Sequence, residues 1–218
     1  MKNFQVAIDG PAGSGKSSIS SIIATKLGFT HIDTGAMYRA VCLEAVNRGI
    51  NLENESEFDF LNYIDIKYVK GETFLNDKNV SKEIRKPEIS AVVSIVAKHK
   101  CVRDKMLYFQ RESAKIGNIL MDGRDIGSVV LPNADVKIFL TASVEERAKR
   151  RMLELQAKGE KVDLESIKKS IEERDYKDSH REIAPLVKTD DAIMIDTTSL
   201  TIEGVCDAII KIINERMK

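Results

Sequence analysis

The chain has 218 residues, 43% hydrophobic and 31% charged, with 34 basic and 34 acidic side chains and a formal net charge of zero. That length and apolar content suit one sizeable α/β domain with small insertions. The balanced charge argues against a dedicated nucleic-acid or membrane-surface binder, and no apolar run approaches the roughly 18 residues that span a bilayer. No signal-peptide pattern precedes Phe4. Cys42, Cys101 and Cys206 are scattered, with no C-x-x-C pair, and read as reduced thiols in a cytosolic protein. His31, His99 and His180 show no metal-ligand spacing, so a zinc site is not expected.

In chain order, the first expected element is a strand over Gln5–Asp9. Gly10, Pro11, Ala12, Gly13, Ser14, Gly15, Lys16 and Ser17 follow and fill the pattern G-x-x-x-x-G-K-[ST]. A helical pattern then runs over Lys16–Leu27. A strand, a glycine-rich loop and a helix N-terminus aim several backbone N–H groups at one anion. The context therefore predicts a nucleoside-triphosphate site from Gly10 to Ser18, with Lys16 on the β- and γ-phosphates and the Ser17 hydroxyl on Mg²⁺.

A helix is expected over Ala36–Asn47, entered through Asp33-Thr34-Gly35, with Thr34 as its N-cap. Arg39 lies on its second turn, where a positive charge opposes the helix dipole and suggests an anionic partner. Ile64–Lys70 alternates, Gly71-Glu72 turns, and Thr73–Asn76 and Asn79–Val80 continue, which predicts a small antiparallel insert. Pro87–Ala114 reads as two helices and Asn118–Met121 as a strand. That strand leads into Asp122-Gly123-Arg124-Asp125-Ile126-Gly127, where Arg124 can fork onto a phosphate, Asp122 can steer Mg²⁺-bound water and Asp125 can accept from an amino group. A polar loop closed by an internal ion pair is the alternative.

Val136–Leu140 is a strand, and Val144–Lys158 a helix bearing Arg147, Arg150 and Arg151. The turn Lys158-Gly159-Glu160-Lys161 joins it to a helix over Leu164–Arg181, on which Arg174, Asp178 and Arg181 share a face as ligand contacts or as a salt-bridge ladder. Ala192–Ile195 and Ile202–Arg216 complete the pattern as strand and helix. Alternating strands and helices predict a P-loop NTPase-type parallel sheet flanked by helices, with ligands beyond the strands' carboxyl ends. The expected division is a core over 1–62, 101–145 and 182–218, an acceptor-binding insert over 63–100, and a helical lid over 146–181.

A phosphate loop does not by itself separate a kinase from a switch, motor or chaperone. No N-K-x-D guanine reader follows a core strand. The arginines outnumber what ATP alone needs, which points to a second, phosphate-bearing acceptor. The residues taken alone leave open a kinase for UMP or a non-nucleotide acceptor, and a regulatory nucleotide-binding switch.

With GPAGSGKS, DTGAMYR, VSKEIR, DGRDIG, VKIFLTASVEERAKRR and ERDYKDSHREIAPL together, the chain resembles the bacterial cytidylate kinases, members of the nucleoside monophosphate kinases, over nearly its whole length. Adenylate kinases typically carry D-G-[FY]-P-R where this chain has Asp122-Gly123-Arg124-Asp125. The resemblance implies transfer from MgATP to CMP and dCMP; no patch demands self-association, so a cytoplasmic monomer is the expectation. The resemblance also implies catalytic roles for Lys16, Arg124, Arg147 and Arg151, and a donor-nucleotide contact for Arg150. Arg39, Arg124 and Arg181 would grip the acceptor phosphate, with Thr34 and Tyr38 beside the acceptor. Ser94, Arg103 and Asp125 would read the cytosine edge, and Arg174 and Asp178 would lie at the sugar. Thr34 stands where some members have serine, which keeps the hydroxyl.

The chemistry of the base agrees with these positions. Asp125 can accept from N4 of cytosine while Arg103 and Ser94 donate to N3 and O2. Uracil reverses the first two groups, and each buried group left unpaired costs about 1–3 kcal/mol.

Overall fold

A computed structural model describes residues 3–157 and 159–218. The apolar run after Phe4 becomes β1 (Gln5–Asp9), the middle strand of a five-stranded parallel sheet. Next come α1 (Lys16–Leu27), β2 (Thr30–Asp33) and α2 (Thr34–Asn47). A three-stranded antiparallel sheet of β3 (Ile66–Val69), β4 (Glu72–Leu75) and β5 (Lys78–Asn79) precedes α3 (Pro87–Val96) and α4 (Lys100–Ser113). The chain then returns to the main sheet with β6 (Ile119–Gly123), a single π-helical turn over Ile126–Val130, and β7 (Val136–Thr141). It ends with α5 (Val144–Gln156), α6 (Leu164–His180), β8 (Ile193–Asp196) and α7 (Ile202–Arg216). The parallel strands run in the order β2-β6-β1-β7-β8.

Period-two alternation sends neighbouring strand residues to opposite layers. Val6, Ile8, Leu120 and Ile138 pack with Ile19 and Ile23 of α1 and Ile209 and Ile213 of α7. Ala7, Ile119 and Met121 face the other way, onto Met37 of α2, Met106 of α4 and Ile66 and Leu75 of the small sheet. Both faces of the main sheet are thus covered, as its near-continuous apolar strands require. Lys70 and Gly71 both take positive φ (51° and 82°), the geometry of a tight hairpin between β3 and β4. A separate small core of Ala148, Leu155, Ile167 and Ile171 holds α5 against α6.

The structure adds β2 and corrects several boundaries. Thr30-His31-Ile32-Asp33 has one aliphatic residue in four and carries no strand signal of its own, yet it pairs in register along β6. The N-cap of α2 is Asp33, whose Oδ1 accepts the Ala36 amide at 2.9 Å, and not Thr34. The Thr34 hydroxyl instead donates to the Asp122 carbonyl at 2.8 Å. β6 continues through Asp122 and Gly123, because both pair with neighbouring strands. α6 stops at His180, and Arg181 leaves the helix with extended backbone (ψ 145°). The helix expected to reach Lys158 ends at Gln156, and Lys158 itself lies outside the described residues.

Ile8 is fully buried in the layer beneath α1 and α7. Ile8→Ala is expected to lower unfolding free energy by about 2–5 kcal/mol in a urea titration, and a loss below about 1 kcal/mol would contradict this packing.

Candidate active site

The carboxyl ends of β1, β2 and β6 form one edge, and the loops that leave it carry the charged residues. Gly10 opens the phosphate loop with φ 151°, and a Cβ there would stand 1.9 Å from the Leu140 carbonyl oxygen, so no other residue fits. The loop ends at the N-terminus of α1, where Gly15 is left-handed and no side chain caps the helix. The free amides of that turn are an anion site. Lys16 is buried, and its Nζ donates to the Pro11 carbonyl at 2.7 Å and the Ser14 hydroxyl at 3.3 Å. Burial, and then the positive charge of Arg124, hold its ammonium well below the usual lysine pKa. An anion in the loop would supply the missing counter-charge.

Beyond the loop stand arginines from three different parts of the chain. Arg39 on α2 reaches Asp33 at 3.4 Å, while its Nε is shielded from solvent without a partner. Arg124 donates through Nε to Asp178 at 2.9 Å. Arg174 on α6 also has a shielded, unpartnered Nε. Burial lowers the Arg174 pKa to about 10, with the charges of Arg124 and Arg39 acting in the same direction against Asp178 and Asp175. Three guanidinium groups therefore converge where carboxylates balance them only in part. Burying an unpaired donor costs about 1–3 kcal/mol, and an anion between these groups would relieve it.

A second cluster adjoins the first. Arg103 on α4 is buried against Asp125, which also takes Arg181 at 3.4 Å. Tyr38 lies under the Arg103 guanidinium at 5.7 Å and is hydrogen-bonded to the buried Gln110. Burial pushes the Tyr38 phenol up to about 12, so it stays neutral. Asp178 is held low despite burial, because Arg124 and Arg174 favour its charged form. The ion pairs of this loop run outward, from Asp125 to Arg103 and Arg181 and from Arg124 to Asp178, rather than within it as the alternative from the sequence requires. The Arg103–Asp125 pair places a planar donor beside a carboxylate, the pattern that matches one edge of a base. Ser94 is half-buried on α3, and among the described residues it makes no hydrogen bond to Arg103 or Asp125.

The arginines of α5 do not act as one set. Arg147 is buried and struts the phosphate loop: Nη1 donates to the Ala12 carbonyl at 3.0 Å, Nε to the Ala142 carbonyl at 3.0 Å, and Nη2 pairs with Asp175 at 2.6 Å. Arg150 turns to Glu146 and Thr197. Arg151 pairs with Glu154 at the surface, and the structure does not bring it to the loop. Ser18 is exposed on the first turn of α1.

Three residues form a corner that suits a divalent cation. The Ser17 hydroxyl donates to Asp33 Oδ2 at 3.1 Å. Asp33 and Asp122 are register partners on adjacent strands. Burial, and then the charge of Asp33, raise the Asp122 pKa against the neighbouring His31 and Lys16. His31 Nε2 pairs with Asp122 Oδ1 at 2.7 Å, and the His31 ring meets Tyr68 of the small sheet edge-on at 5.8 Å. A hydroxyl beside two buried carboxylates fits Mg²⁺, a hard ion that prefers oxygen and keeps some of its water.

Sequence reasoning passed over Asp9, His31, Asp33 as the partner of Ser17, and Gln110. Asp9 had a visible signal, an acid that closes an apolar strand directly before the phosphate loop. Its Oδ1 and Oδ2 accept the amides of Ile126 and Gly127 at 2.8 and 2.7 Å. Burial outweighs those bonds and raises its pKa to about 6 from an ordinary 3.8. The folded chain thus holds this proton more tightly than the unfolded chain. The contribution of Asp9 to stability is therefore greatest below about pH 4, is lost as pH rises through about 6, and is unchanging above that. Carboxyl-carbon NMR of Asp9 is expected to titrate near pH 6, and a midpoint at an ordinary aspartate value would contradict the burial argument.

Comparison with other proteins identifies the family and the fold. Residues 6–215 match the cytidylate kinase family. The chain is 52% identical over 220 residues to a cytidylate kinase of Geobacillus sp., covering 99% of this chain and 98% of that one. It is 50% identical over 220 residues to a cytidylate kinase of Pediococcus pentosaceus, covering 99% and 97%. Among solved structures, an uncharacterized protein from Eubacterium ventriosum (TM-score 0.54, 14% identity, 98% and 99% coverage) has a similar fold. So does a shikimate kinase from Bacteroides thetaiotaomicron (TM-score 0.51, 10% identity, 98% and 99% coverage). A family match over residues 6–215 and full-length matches at about half identity place this chain in the cytidylate kinase family.

Proposed function

We propose that the chain transfers the γ-phosphoryl group of ATP to the 5′-phosphate of CMP, and of dCMP, giving ADP and CDP or dCDP. The observation that carries this reading is the convergence of Arg39, Arg124 and Arg174, two of them with unpartnered buried Nε groups, beside the Arg103–Asp125 pair and across from Lys16. A phosphate bound among the arginines places an attached base at the donor–carboxylate edge.

In the reaction an acceptor phosphate oxygen attacks the γ-phosphorus in line. A new P–O bond forms as the bond to the β,γ-bridging oxygen breaks, and ADP leaves with the electron pair. The attacking oxygen is already ionised near neutral pH, so the chain needs no strong general base. Catalysis is alignment and charge stabilisation. Lys16 exchanges the Pro11 carbonyl for phosphate oxygens, the loop amides hold the donor, and Arg124 meets charge from the acceptor side. Arg39 and Arg181 fix the acceptor phosphate, Tyr38 and Thr34 line its approach, and Arg174 and Asp178 sit at the sugar. Asp125 and Arg103, with Ser94, read cytosine. Arg147 holds the loop in shape, and movement of α5 and α6 as a lid would bring Arg150 and Arg151 into play. Ser17, Asp33 and Asp122 would hold Mg²⁺, directly or through water, and the ion would neutralise charge on the donor phosphates.

Coupled ADP release with MgATP against CMP, dCMP, UMP, AMP and GMP at equal concentration tests the proposal. Turnover is expected with CMP and dCMP and little with the purines, whereas preferred use of UMP would overturn the cytosine assignment. Lys16→Ala and Arg124→Ala should each cut kcat by at least about a hundredfold with the thermal midpoint little changed. Near wild-type turnover in either would remove that residue from the mechanism. Without acceptor, ATP hydrolysis should be slow, and hydrolysis as fast as transfer would contradict water exclusion by a closing lid.

A further inference from the structure

Asp9 is the last residue of β1 and immediately precedes the phosphate loop. It is 6% exposed. Both of its oxygens are used, Oδ1 by the Ile126 amide and Oδ2 by the Gly127 amide. Those amides open the π-helical turn and follow directly on Arg124 and Asp125. The backbone ladder between β1 and β6 ends at Asp9 opposite Gly123, so beyond that pair no strand pairing holds the two loops together. From there one carboxylate spans the gap between the donor loop and the acceptor loop.

We propose that Asp9 is a positioning residue, which keeps the Arg124–Asp125 loop in register with the phosphate loop so that the acceptor oxygen lies in line with the donor phosphorus. The proposal rests on the kinase reading given above. Two amide bonds to one rigid carboxylate fix both the separation and the rotation of the loops, which a single bond would not. A neutral amide cannot copy this, because its NH₂ would face one of the two N–H donors. The charged groups facing Asp9 are Lys16 on α1 and Asp125 in the acceptor loop, one from each side of the gap. Its carboxyl is pushed up to about 6 and so remains mainly ionised at neutral pH even though it is buried, as a fixed anionic bridge requires.

The consequence is specific. Water can attack the donor without help from the acceptor loop, whereas CMP cannot. Loosening the bridge should therefore reduce transfer more than hydrolysis. The experiment measures CDP formed and ATP hydrolysed in one reaction with MgATP and CMP, for the wild-type chain, Asp9→Asn and Asp9→Ser. With Asp9→Asn, the ratio of transfer to hydrolysis is expected to fall about tenfold or more while the KM for MgATP stays near wild type, because small misplacements of bound reactants are costly. A merely structural role would lower the active fraction and reduce both rates together, so an unchanged ratio overturns the proposal. Asp9→Ser, which keeps one oxygen acceptor, decides the matter by the same ratio if Asp9→Asn fails to fold. Failure of both to fold makes Asp9 structural and also overturns it. If the wild-type chain forms no CDP, the kinase reading falls first. If it forms CDP and the variants keep its ratio, only the role of Asp9 falls.

Discussion

The constraint on which the site depends is the burial of guanidinium groups that repel one another. Arg174 is pulled below its ordinary pKa by burial and by Arg124 and Arg39, and Arg181 by burial and by Arg103. A chain selected for stability alone would not bring these side chains together, since buried charge is expensive unless paired. The carboxylates present, Asp33, Asp125 and Asp178, offset enough of the repulsion for the chain to fold. They leave donors at Arg39 and Arg174 for something else to satisfy. A doubly charged phosphate is the ligand that such a gap suits best.

The parallel sheet makes this arrangement possible. β1 and β6 are largely apolar until they near their carboxyl ends, where Asp9 and Asp122 come to one edge with Asp33 of β2. The acids at that edge have distinct tasks: Asp33 caps α2 and takes the Ser17 hydroxyl, Asp122 meets His31, and Asp9 bridges two loops. Gly123 allows the close approach, since a Cβ there would stand 2.6 Å from the Thr34 hydroxyl. The cost is visible in Asp9 and Asp122, whose charged forms are disfavoured by burial. The central apolar layers supply the stability that offsets it.

Legibility in the sequence followed the range of the interaction. The phosphate loop could be read because its glycines, lysine and serine act within eight consecutive positions between a strand and a helix. Arg39, Arg124, Asp125, Arg174, Asp178 and Arg181 were visible as polar residues at strand ends or at helical spacing. The partners they chose were not. Asp178 pairs with Arg124, 54 positions away, and the Arg147 guanidinium reaches back 135 positions to Ala12. Asp33 and Thr34 are both good N-caps, and only the neighbouring Asp122 carbonyl, which takes the Thr34 hydroxyl, decides between them. β2 was hidden because its pairing with β6, rather than its own composition, makes it a strand.

The most direct test of the claim that buried arginines await an acceptor phosphate is calorimetric titration of the chain with CMP and with cytidine. The two ligands share base and sugar and differ only in the phosphate. The account predicts that CMP binds at least about a hundredfold more tightly, as expected when one charged group gains several charge-assisted bonds. Equal affinity for the two would mean that the arginines do not hold a phosphate, and would contradict the account at its centre.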